Sequence, residues 1–169
     1  MLSPFEQSFY YYYFLVHIPV AIFIDSSVVV PERYQLIPKL VQWHIKQNND
    51  FLLYEKPTWL RWFVIFELAV QVPAFFWFVT KFKQLWSLQD KDEGKESKAA
   101  YHKCSKNLNK WLRLYGLKAS LTTLICMIVI WQRAYYPFGD FAEMSMQDKL
   151  KLISVYSTTF LTPLRLCFV

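Results

Sequence analysis

Glu67 stands in the middle of an apolar run, with FVIF before it and LAV after it. At the centre of a bilayer an ionised carboxylate costs about 2.5–3.5 kcal/mol even on the lenient insertion scale, so this group needs a polar partner. Gln71 follows one turn later, at i+4, and projects from the same helix face. Pro73 then removes a backbone donor and opens a kink beside them. That face has to look into protein and not into lipid. Two readings stay open for it: a hydrogen bond that staples two helices, or the polar end of a binding pocket. Asp25 closes a second apolar run, either as an ordinary helix-ending residue or as a second functional acid. His17 lies two turns before it on the same side; taken alone it reads as a satisfied interior histidine. Asp50, after Asn48 and Asn49, reads as a turn residue.

Other chemistries lack their signatures. With 3 glycines in 169 residues there is no G-x-G-x-x-G or Walker loop for phosphates. G-x-S-x-G, H-E-x-x-H and C-x-x-C are absent too, so no catalytic residue, metal ligand set or cofactor is assigned. The three cysteines (Cys104, Cys126, Cys167) imply no disulfide framework. The net charge of +6 invites a nucleic-acid partner, but Asp90, Asp92, Glu93 and Glu96 interrupt the basic cluster, and no nucleic acid is expected. Attraction to anionic lipid headgroups suits the cluster better.

The elements that must hold these residues are membrane spans. The chain is 54% hydrophobic and 20% aromatic but only 19% charged, and its apolar residues are bunched into blocks. A span needs about 20 predominantly apolar residues. Four segments are expected to cross, at about residues 8–25, 59–80, 114–135 and 150–169, giving an all-α, four-helix transmembrane bundle in one domain. In the third, Lys118 has to snorkel to the headgroups. Tyr10–Tyr13, Trp59, Trp62, Trp77 and Trp131 suit interfacial aromatic belts. The first segment lacks a basic leader and a small-residue cleavage site and carries a central proline, so it is expected to stay as a span. Between the first two spans, Pro38–Asn48 starts with a helix-favouring proline and places Leu40, Val41, His44 and Ile45 on one side, which predicts a short amphipathic helix.

Nine of the 19 Lys and Arg residues fall in 81–113, between spans two and three, so this loop is expected in the cytosol with both termini, and the amphipathic helix on the lumenal side. Within it, Gln89–Ser97 reads as a flexible stretch.

The order and spacing of several strings carry a resemblance. They are YFLVHIPVAIFID, then P-E-R, W-H-I-K-Q-N-N-D-F-L-L, E-K-P-T-W-L and F-E-L-A-V-Q-V-P; L-K-L-I-S-V-Y and Thr162-Pro163 follow near the end. In these the chain resembles the sigma-2 receptor branch of the EXPERA membrane family, which also includes the emopamil-binding sterol isomerases. Span three is looser, matching around Tyr115 and Thr122–Ile125. The resemblance implies an endoplasmic-reticulum membrane protein, often a homodimer. It also implies a pocket within the bundle for sterols or other hydrophobic, amine-like small molecules. Carried over residue by residue, Asp25 matches an amine-contacting aspartate, Asp50 its supporting aspartate, Glu67 and Gln71 the span-two pair, and Tyr156 a pocket-lining tyrosine. His17 is grouped with them as a ligand-binding residue.

Three functions compete. The first is a non-catalytic binding protein for such lipids that modulates lipid handling or partner membrane proteins. The second is a sterol double-bond isomerase; against it, Phe63 stands where the isomerase branch has a histidine one turn before the glutamate. The third is a membrane adaptor or protein quality-control factor.

Overall fold

The computed structural model describes residues 2–89, 95–138 and 140–169, and in them it is all-α, with one isolated bridge between Tyr135 and Glu143. Helix α1 (Pro4–Phe23) begins earlier than the apolar run alone predicts. Its start is fixed by a capping box: Ser3 Oγ accepts from the Glu6 amide at 3.3 Å, and the Glu6 carboxylate accepts from the Ser3 amide at 2.8 Å. A 3₁₀ turn, Asp25–Val28, follows directly.

Helix α2 (Pro38–Asn48) has the predicted bounds and buries Val41 and Ile45. Leu40 departs from expectation: it points outward with Trp43, because at 100° per residue it stands too far round from Ile45. Asn49 ends α2 in the left-handed conformation, and Asp50 caps the short helix α3 (Phe51–Glu55) by accepting from the Leu53 amide at 3.1 Å.

The second long apolar element is α4 (Thr58–Phe66) continued by α5 (Val72–Gln89). They are joined by a wide π-turn over Glu67–Gln71, in which the Val72 amide bonds the Glu67 carbonyl five residues back. Pro73 cannot donate to the ladder, and the expected kink takes this form. Helix α6 (Lys95–Arg133) has 39 residues, about 58 Å of helix against a hydrocarbon core of about 30 Å. Much of the basic 81–113 segment is therefore helical extension of α5 and α6 and not irregular loop. Of the stretch 89–97 expected to be flexible, Gln89 belongs to α5 and residues 95–97 to α6, while residues 90–94 lie outside those described.

Pro4–Val28, Thr58–Gln89 and Glu96–Arg133 are long and apolar enough to cross a membrane. Helix α7 (Met146–Leu166) is not among them; Asp148, Lys149, Lys151 and Arg165 dilute it. It packs chiefly on α6, where Gly116 meets the Pro163 carbonyl so closely that a Cβ there would lie 2.5 Å from the oxygen. The Lys118 ammonium lies 4.7 Å over the ring of Phe66, on the neighbouring α4.

Two apolar clusters build the core. In one, Phe14 of α1 is completely buried against Phe75 and Phe78, with ring centroids 5.3 and 4.8 Å away, and against Tyr115. The other gathers Val28, Phe51, Leu52, Leu60, Val64, Cys126, Ile130 and Leu152. At one end of the bundle Arg165 pairs with Glu6 at 2.6 Å and Tyr11 packs on Trp86, so the start of α1, the end of α5 and the end of α7 lie together. At the other end Tyr135 and Phe138 pack on Phe51 and Tyr54 of α3, and the Tyr135 hydroxyl donates to Glu55 at 2.6 Å.

Candidate functional site

Between the two clusters lies a cavity of about 160 Å³, lined by members of both. Into it come His17 from α1, Asp25 from the 3₁₀ turn after it, and Glu67 from the π-turn, with one ligand-competent atom of each lying within 4.8 Å of the others. His17 Nε2 stands 3.7 Å from Glu67 Oε1, and their side chains are 16% and 19% exposed. The imidazole is held by rings: it stacks on Tyr13 at 5.2 Å and meets the edge of Phe75 at 5.4 Å. Tyr13 is itself tied to α6, its hydroxyl 3.1 Å from that of Tyr115.

Gln71 lines the same cavity, is 7% exposed, and its amide oxygen has no hydrogen-bond partner. Nor, among the described residues, does any donor hydrogen-bond the Asp25 carboxylate. The site is thus rich in acceptors that the protein leaves unanswered, within walls of Leu60, Phe63, Val64, Tyr115 and Cys126.

Asp50 is placed differently. It is 1% exposed and does not line the cavity. Its Oδ1 takes the α3 cap, and its Oδ2 accepts the Tyr156 hydroxyl at 3.0 Å, with His44 Nε2 at 3.5 Å. Tyr156 does line the cavity, so Asp50 stands behind it and holds it. Of the six residues singled out in the sequence, the structure gathers His17, Asp25, Glu67, Gln71 and Tyr156 around one cavity and sets Asp50 behind them. Reasoning from sequence passed over Tyr13 and His44. Tyr13 had a readable signal, since it lies one turn before His17 on the same face; His44 was visible only as part of the amphipathic face of α2. Phe63 also lines the cavity, while the imidazole beside Glu67 arrives from another helix altogether.

Fold and site together define an all-helical membrane protein with a carboxyl–imidazole cluster buried among its helices. Residues 36–169 match the EXPERA family, the expanded EBP superfamily, and the chain belongs to it. The chain is 51% identical over 167 residues to efficient mitochondria targeting-associated protein 19 of Saccharomyces cerevisiae, covering 97% of this chain and 96% of that protein. It is 28% identical over 162 residues to the human sigma intracellular receptor 2, covering 89% and 78%, and 26% identical over 168 residues to the Xenopus tropicalis receptor of that name, covering 93% and 82%. It is a sigma-2 receptor-like member of its family.

Proposed function

We propose that this protein is a non-catalytic intramembrane binding protein of the endoplasmic reticulum, whose cavity receives sterols or other hydrophobic molecules that carry an amine or hydroxyl. The observation that carries the reading is the convergence of Asp25, of Glu67 beside His17, and of the unpartnered Gln71 amide oxygen on one aromatic-walled cavity. An ammonium or hydroxyl supplies the donors the chain withholds, and the rings supply apolar area and cation–π attraction. Asp50 acts through Tyr156. The similarity to sigma intracellular receptors supports a ligand-binding role.

In this reading α7 is the fourth span, the basic 81–113 segment and both termini face the cytosol, and the chain works as a homodimer that engages other membrane proteins. A glycosylation sequon placed near Gly94 should stay unmodified; a glycan acquired there reverses the orientation.

Binding of a radiolabelled hydrophobic tertiary amine to the purified protein tests the site. Asp25→Asn should weaken it by at least about tenfold, the order expected when one partner of a charge-assisted contact is lost. Unchanged affinity removes Asp25 from the site.

One observation favours a second reading. The His17–Glu67 pair is an imidazole and a carboxyl in near contact, parts that proton transfer in a sterol isomerase requires. Against it, the polar groups cluster at one place, whereas moving a double bond needs a donor and an acceptor set apart with a cation stabilised between them. Complementation of isomerase-deficient cells, read as a sterol profile, decides; recovery that disappears in Glu67→Gln makes the chain an enzyme. The name of the yeast relative brings in a third role, in protein targeting to mitochondria, tested by precursor import in cells lacking this chain.

A further inference from the structure

His17, Asp25 and Glu67 come from two helical segments and a turn that no local spacing links, yet they converge as one imidazole nitrogen and two carboxylates. Lys118 lies over the Phe66 ring at 4.7 Å, and among the described residues no lysine or arginine forms an ion pair with Asp25 or Glu67. Gln71 is an independent sign of a missing partner: its amide oxygen is buried, faces the same cavity and accepts nothing.

We propose that His17, Asp25 and Glu67 form a binding site for a divalent transition-metal ion, zinc being the best match, with a fourth position open to water or the Gln71 oxygen. The donor set argues for it. One imidazole and two carboxylates suit zinc, and a doubly charged ion cancels two carboxylates, which makes the complex neutral in a low-dielectric interior. Zinc–nitrogen and zinc–oxygen bonds of about 2.0–2.1 Å put tetrahedral ligands about 3.3 Å apart. The His17–Glu67 separation of 3.7 Å is already close to that, and the widest gap, at most 4.8 Å, closes by side-chain rotation. Asp50 and His44 are a poorer alternative, because the Leu53 amide and the Tyr156 hydroxyl already occupy the Asp50 oxygens. The inference deepens the binding reading, since it uses the same site. A metal ion and a ligand ammonium then exclude one another there.

The test uses the full chain in lipid nanodiscs, stripped with chelator and dialysed against zinc chloride. About one zinc per chain should be retained, and Asp25→Asn and Glu67→Gln should each weaken it by at least about tenfold. His102→Ala and Cys104→Ser, near the start of α6 and outside the cavity lining, should leave it unchanged. X-ray absorption at the zinc edge of the unaltered protein should show nitrogen and oxygen neighbours and no sulfur, which keeps the test informative if a variant does not fold. Substoichiometric zinc, zinc that survives both carboxyl substitutions, or a sulfur neighbour overturns the proposal. The two readings separate in chelator. Amine binding that zinc fails to displace leaves the binding function standing and removes the metal site. Stoichiometric zinc on a protein that takes no amine supports the metal site and removes the amine.

Discussion

Replacing Gly116 with alanine sets two effects of known size against each other. Gly116 lies inside α6, where alanine gains about 1 kcal/mol in helix propensity. Its new methyl group, however, would stand 2.5 Å from the Pro163 carbonyl oxygen, 3.0 Å from Leu166 Cβ and 3.2 Å from the Cys167 amide nitrogen. An ordinary C···O contact is about 3.3 Å, so the helices must part by about 0.8 Å. Two of the three obstacles are backbone and cannot rotate away. Overpacking of this kind costs about 1–3 kcal/mol, and because the whole of α7 has to shift the upper half of that range applies. The net expectation is a loss of about 1–2 kcal/mol, or a Tm lower by about 2–8 °C for a chain of this size. Thermal unfolding of the detergent-solubilised protein, followed by tryptophan fluorescence, measures it. Tyr115 and Pro163 both line the cavity, so amine binding should weaken in parallel. A Tm equal to or above that of the unaltered protein would show that α6 and α7 do not approach this closely, and the packing argument would fall with it.

Asp50→Ala removes the α3 cap and leaves the Tyr156 hydroxyl without its acceptor, so it should cost about 2–4 kcal/mol, whereas Asp50→Asn keeps a good cap and an acceptor and should cost about 1 kcal/mol or less; the two Tm values compared side by side check this. Ser3→Ala abolishes the capping box and should lower stability by about 1 kcal/mol, with amide exchange accelerating in the first turn of α1 only. Acidification should loosen the contact of Glu143 with the start of α7. Hydrogen bonding to Lys149 and then its charge hold Glu143 below the usual carboxylate range. The folded value lies below the unfolded one, so this contribution is present above the ordinary carboxylate range and fades as pH falls through the depressed value; hydrogen exchange of residues 143–149 across that range should show it, and Lys149→Met should remove it.

The sequence by itself determined whatever depends on neighbours along one helix. Apolar blocks of spanning length announced the long helices, a proline and an amphipathic period marked α2 to the residue, and an acid with an amide at i+4 inside an apolar run announced that one face of the second span must meet protein. His17 and Asp25 could be placed on one side of the expected first span for the same reason: helical periodicity is a local rule. What that rule cannot reach is which faces meet. Only packing put Asp25 and His17 against Glu67, and so delivered an imidazole from α1 to a place where the local sequence offers Phe63. Asp50 reads locally as a turn residue and by resemblance as a supporting aspartate, and only packing identifies it as the acceptor that fixes Tyr156, 106 positions away. The length of α6 escaped for a different reason. Lysines read as loop when a bilayer is assumed to end where hydropathy ends, but helix hydrogen bonds are satisfied within the backbone and continue through water as readily as through lipid.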